Sequence, residues 1–137
     1  MYQSIMVPVD MAHLPQVAKS IDTAAGLARQ HGGRLVFVSV TAAIPTSIAH
    51  NPKEFAQRLV ALAAQESARL GVTIDTHTMT AHDPSIDTDR HLIEAITATG
   101  ADLVVMATHA PGMADYFWSG HGAHVAAHAP VSVFLVR

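Results

Sequence analysis

Four stretches of the chain, residues 5–9, 35–40, 103–107 and 131–136, are short and nearly unbroken runs of apolar side chains. A strand covered on both faces has no use for a polar alternate, so these runs predict buried strands of a parallel sheet. A fifth stretch, residues 72–80, alternates apolar and polar positions and is rich in threonine. That pattern predicts an edge strand with one face in water. Between the strands the apolar spacing changes to three and four. Val17, Ile21, Ala24 and Ala28 make one stripe, Phe55, Leu59, Leu62 and Ala63 a second, and Leu92, Ile93 and Ile96 a third. These stripes predict three helices with inward faces. Pro52 after Asn51 marks the start of the second, and Asp87 or Thr88 is the expected cap of the third.

Each of these helices closes on glycine, at Gly32-Gly33, Gly71 and Gly100, and a strand follows within a few residues. Glycine takes the left-handed conformation that ends a helix without a Cβ clash. Helix, glycine and strand in repeated order are the punctuation of βαβ units. The expected architecture is a single α/β domain over residues 1–137, in the order β-α-β-α-β-α-β-α-β. Right-handed crossovers then give one doubly wound, five-stranded parallel sheet with helices on both faces. The longest irregular stretches, residues 42–51 and 109–119, are where function or mobility is expected.

Composition narrows the chemistry. With 50% hydrophobic and 14% charged residues in 137, the chain can bury enough apolar surface to offset its ordering entropy. It has no cysteine, which removes disulfides, thiolate metal sites and thiol nucleophiles together. Eight Lys and Arg against eleven Asp and Glu give a formal charge of −3, so a basic nucleic-acid footprint is absent. No apolar run has the length of a membrane span, and Met1-Tyr2-Gln3-Ser4-Ile5 lacks a signal-peptide pattern. The expectation is a cytoplasmic domain. Ten histidines are the unusual figure: protonating all ten would carry the formal charge from −3 to +7.

Open doubly wound sheets bind ligands beyond the carboxyl ends of their strands, where the strand order reverses. That rule singles out Pro8-Val9-Asp10 after the first strand, Val40 near the end of the second, and Met106-Ala107-Thr108-His109 at the end of the fourth. The last helix opens through Ser119-Gly120-His121-Gly122, small residues with a hydroxyl and several backbone N–H groups. Unsatisfied amides and the helix dipole make such a corner an anion site. The same residues equally suit a cap and a tight turn, so both readings stand. Gly120-His121-Gly122 also contains G-x-G, but the dinucleotide fingerprint belongs after the first strand, which excludes a hydride-transfer enzyme.

Three segments carry a resemblance. Tyr2-Gln3-Ser4-Ile5-Met6-Val7-Pro8-Val9-Asp10, Gly100-Ala101-Asp102-Leu103-Val104-Val105-Met106, and His128-Ala129-Pro130 with the strand after it occur in this order. In these segments the chain resembles the universal stress proteins from end to end. The resemblance implies an adenine nucleotide α-hydrolase-like fold with strand order 3-2-1-4-5. It also implies a bound adenine nucleotide (ATP, ADP or AMP), with Mg²⁺ able to accompany it and no other metal required. By position, Asp10 would face the ribose or adenine, with Pro8 and Val9 beside it, and the Val40 backbone the adenine edge. Met106, Ala107, Thr108 and His109 would line the phosphate path, and Ser119, Gly120, His121 and Gly122 would hold the phosphates. Nucleotide-binding members carry G-x2-G-x9-G-(S/T), where strict spacing gives Ala107, Ala110, Gly120 and His121, and anchoring on His128-Ala129 instead sets Ser119-Gly120 opposite the family's Gly-Ser in swapped order. An added Cβ at 107 and 110 crowds the approach of backbone to phosphate.

Histidines 121, 124 and 128 share one helical face, and His124 with His128 has the spacing of a two-histidine chelate. Their helix holds no acidic residue, and a partly exposed polar face is the simpler reading. The acidic stretch 83–89 fails EF-hand spacing and reads as a polar loop leading into the third helix. Tyr116-Phe117-Trp118 is either an anchor for ligand or partner or a staple for its own loop. No Walker lysine or nucleophile elbow is present, so the expected chemistry is at most slow ATP hydrolysis, with Asp10 or His109 orienting a water. The leading expectation is a regulatory adenine-nucleotide-binding module in stress or signalling. The alternative is a dimeric interaction protein of the same fold that has lost its nucleotide. Either way the apolar strand 131–136, at a sheet edge, is expected to pair with a second copy.

Overall fold

The computed structural model describes residues 1–108 and 121–137, with backbone alone at 84–86. Five strands, β1 (Ser4–Pro8), β2 (Arg34–Ala42), β3 (Ile74–Ala81), β4 (Leu103–Ala107) and β5 (Ser132–Val136), form one parallel sheet in the order β3-β2-β1-β4-β5. The connecting helices are α1 (Leu14–His31), α2 (Pro52–Leu70), α3 (Pro84–Thr99) and α4 (His121–His128). Helices α1 and α2 share one face of the sheet, linked by the Arg69–Asp22 ion pair at 2.7 Å, while α3 and α4 pack together on the other. The α/β fold and the 3-2-1-4-5 order expected from the sequence are therefore observed. No described helix is long and apolar enough to cross a membrane.

Strands β1 and β4 are buried at every position, and β2 from Leu35 to Thr41, as near-continuous apolar strands must be. Strand β3 is the half-exposed edge that the alternation predicted. The stripe of α1 is buried in full, whereas Leu62 of α2 and Ile93 of α3 are only partly covered. Asn51 caps α2 by accepting from the Glu54 N–H at 2.8 Å. Gly32, Gly71 and Gly100 stand at φ +67°, +68° and +67°. Asp102 adds a contact that no pattern announced: its carboxylate accepts from the N–H groups of Gln3 (2.9 Å) and Ser4 (3.1 Å), pinning the start of β1 to the start of β4.

Two expectations change. Helix α3 begins one turn before Asp87 and Thr88, with the Asp87 N–H already bonded to the Asp83 carbonyl at 2.9 Å. Proline fits a first helical turn, where its missing N–H costs nothing. The acidic stretch is thus mostly helix rather than loop, and Thr88 is fully buried inside it. Strand β5 is not covered on both faces: Phe134 is 46% and Leu135 39% exposed. As the outer strand beyond β4, it lacks a neighbour on one side among the described residues.

Candidate functional site

Pro8 shapes the fork between β1 and β4. Along β1 the even residues face β4, as Asp102 N–H to the Ser4 carbonyl (2.9 Å) shows. The odd residues face β2, as in Arg34 N–H to Gln3 (3.0 Å) and Val9 N–H to Val38 (2.8 Å). The N–H that Pro8 lacks would have pointed at β4. The β1–β4 register accordingly runs over Ile5 and Met6 only, while β1 stays paired with β2 through Pro8.

On the β2 side of that fork lies a cavity of about 180 Å³. Val9, Asp10, Met11 and Ala12 line it from the end of β1, and Val40, Thr41 and Ala42 from the end of β2. Thr46, Ser47 and Ile48 come from the following turn, and Phe55 from α2. Its position follows from strand parity. The Val38 carbonyl receives the Val9 N–H, so two residues on, the backbone of Val40 faces the same side, where β1 has already turned away. Ser39, buried, steadies this turn by donating its hydroxyl to the Val9 carbonyl.

Asp10 is the charged residue of the cavity wall and is only 8% exposed. Its Oδ1 accepts from the Ala12 N–H at 3.0 Å, capping a 3₁₀ turn over Met11–His13, and its Oδ2 accepts from His13 Nδ1 at 2.9 Å. The opposite wall is equally fixed. Thr46 Oγ1 accepts from the N–H groups of Ile48 (3.2 Å) and Ala49 (3.3 Å). The His50 N–H (3.0 Å) and His50 ring (3.1 Å) both bind Glu54, and these contacts, the backbone one first, hold its carboxyl below the usual range.

The other predicted residues divide. Met106 and Ala107 are buried in β4, and Thr108 continues it with its N–H on the Val136 carbonyl at 2.8 Å. Gly122 packs close over β5 and Thr108: a Cβ there would lie 3.1 Å from Leu135 Cδ2 and 3.8 Å from Thr108 Oγ1. The structure thus joins Val9, Asp10 and Val40 in one cavity, and Thr108 and Gly122 at the start of α4. The His121 ring reaches α3, where its Nδ1 donates to Asp89, and His124 stands 3.8 Å from the same carboxylate. His128 donates to the His124 carbonyl at 2.9 Å and stacks on its ring at 4.2 Å. Among the described residues no group of three or more His, Asp or Glu is arranged to hold a metal ion. His109, Ala110, Tyr116, Phe117, Trp118, Ser119 and Gly120 lie outside the described residues.

The sequence reading missed most of the cavity wall: Met11, Ala12, Thr41, Ala42, Thr46, Ser47, Ile48 and Phe55. The long stretch 42–51 was the available signal for Thr46–Ile48; Phe55 was legible only as a core position.

No curated protein matches the chain. Among solved structures, a universal stress family protein from Burkholderia pseudomallei is similar at 23% identity and TM-score 0.71, over 98% of this chain and 96% of that one. A universal stress protein in complex with cAMP is similar at 17% and 0.70, over 99% and 97%. One from Archaeoglobus fulgidus in complex with dAMP gives 16% and 0.70, over 99% and 98%. At these identities the likeness speaks to the fold. The profile of the universal stress protein family matches residues 1–137, and on that match the chain belongs to the universal stress protein family.

Proposed function

We propose that this protein is a regulatory module that binds an adenine nucleotide, ATP, ADP or AMP, and acts in the cytoplasm in a stress or signalling response. The observation that carries the reading is the cavity beyond the ends of β1 and β2, beside the fork where the strand order reverses, apolar on most sides, with Asp10 in one wall and the Val40 backbone facing in. The base enters between Val9, Val40, Ile48 and Phe55, and Asp10 accepts from a ribose hydroxyl or the exocyclic amine. The phosphates extend toward Thr108 and the start of α4, with His109, Ser119, Gly120, His121 and Gly122 as the phosphate side and Mg²⁺ able to accompany them. Relatives solved with cAMP and dAMP support this choice of ligand. Chemistry is at most slow hydrolysis.

Calorimetry and melting test it. Millimolar AMP or ATP is expected to give saturable heat and raise the melting temperature, by about 2.7 kcal/mol of stability at a hundredfold excess over Kd. An Ala42→Phe variant, whose ring occupies the cavity, is expected to lose at least about tenfold in affinity. Wild type giving neither heat nor a melting shift overturns the reading and favours its alternative, an interaction protein of this fold without nucleotide.

Both readings include a homodimer. The exposed Phe134 and Leu135 on the outer strand β5 support pairing with a second copy along 131–136. Sedimentation at micromolar concentration is expected to give a dimer that Phe134→Glu converts to monomer; a wild-type monomer would sink the interface.

A further inference from the structure

Every lysine and arginine of the chain can be placed, and none is among the described residues that line the cavity. Of the eight, Arg34, Arg58, Arg69 and Arg90 are paired with carboxylates. Lys19 and Arg29 donate to backbone carbonyls, those of Arg137 and Leu70. Lys53, in the first turn of α2, and Arg137, after β5, are exposed and stand outside that lining. Residues 91–136, which include the whole phosphate side of the proposed site, contain no Lys or Arg at all.

The charge that the cavity does present is negative. Asp10 stands in its wall, buried, where water screens a carboxylate little. Its two oxygens accept from the Ala12 N–H and the His13 ring, and what they offer a ligand is further lone pairs. Such a group recruits the hydroxyls of a ribose or the amine of a base, and repels phosphate. Backbone N–H groups at the start of α4 are the donors left for phosphate, and a second carboxylate stands at that same turn, where Asp89 accepts from the His121 ring. Neutral amides can meet a first phosphate. Each further phosphate adds charge that no Lys or Arg of the lining offsets.

We propose that the site ranks adenine ligands by charge: adenosine and AMP enter in preference to ADP and ATP, and Asp10 is the residue that sets the ranking. The inference rests on the nucleotide-binding reading above and narrows it to the low-charge end of the series. A rise in AMP or adenosine, rather than in ATP, is then the signal that fills the site.

The test is calorimetry of adenosine, AMP and ATP at about pH 8, where a phosphate monoester is fully ionised. Without Mg²⁺, wild type is expected to bind both adenosine and AMP at least about tenfold more tightly than ATP. Mg²⁺, which neutralises part of the ATP charge, and about 0.5 M salt, which screens it, should each narrow the gap. Exclusion by size would leave the gap unchanged under both, and would overturn the proposal. Asp10→Asn keeps the shape of the side chain and an acceptor for the Ala12 N–H but removes the charge. Its ratio of ATP to adenosine affinity should rise severalfold over wild type, with folding checked by melting. A contact to base or ribose lost in this variant is common to both ligands and cancels in the ratio. ATP bound by wild type as tightly as AMP, or a ratio unmoved by Asp10→Asn, overturns the proposal and leaves nucleotide binding intact. No binding of any of the three ligands by wild type overturns both.

Discussion

Replacing Phe37 by alanine is expected to lower the unfolding free energy by about 3–5 kcal/mol, read as a fall in the urea midpoint with little change in slope. Among the described residues Phe37 is the largest fully buried side chain, and it sits in β2 opposite Val7 of β1 and Thr76 of β3. A ring removed there leaves a void between the sheet and its helices that a close-packed interior closes only in part. The loss reaches the site, because the same strand carries Val40, Thr41 and Ala42 to the cavity three to five residues later. Phe37→Leu, which keeps most of the volume, should cost about 1–1.5 kcal/mol. An alanine variant within about 1 kcal/mol of wild type would mean that the core around β2 is not packed as described.

Gly33→Ala is expected to destabilise by about 2–3 kcal/mol for a different reason. Its φ is ordinary, so conformation is not the issue. A Cβ at this position would run into the Tyr2 carbonyl oxygen and come within 3.1 Å of the Gln3 carbonyl carbon and oxygen, all of them backbone. Backbone cannot swing aside as a side-chain tip can, so the start of β2 would have to move away from β1 and stretch the Arg34 N–H bond to Gln3, now 3.0 Å. Gly26→Ala is the control: it lies in α1 with nothing within 4 Å of its added Cβ, and alanine there should stabilise slightly. Paired urea titrations decide the matter, and equal midpoints for Gly33→Ala and wild type would refute the close approach.

The strands and helices were legible because burial on two faces, one face or a stripe writes three different periods into a sequence. Residues 103–107 and the stripe through Val17, Ile21, Ala24 and Ala28 read correctly for that reason. The start of α3 did not, since acidic residues in a first turn look the same as acidic residues in a loop. Asp10 and Val40 were legible as residues at the strand ends, where the cavity lies, and Asp10 also takes the capping role that its type suggests. The rest of the cavity was not, because Thr46 and Ile48 reach it through a turn held by local hydrogen bonds, and Phe55 through helix packing. The turn leaves no periodic trace, and the helical stripe that holds Phe55 marks it for the core rather than for the cavity. His121 shows another limit: its ring partner, Asp89, comes from a helix 32 residues earlier, a pairing that no local pattern announces.

The seat of β1 between β2 and β4, fastened at its start by Asp102, has a consequence for biosynthesis. Of these five strands the one translated first becomes the middle of the sheet, and its second neighbour is translated almost a hundred residues later. Throughout that interval a nascent chain carries an apolar strand with one open side, so the β1–β2–β3 half is the species with most need of chaperone cover.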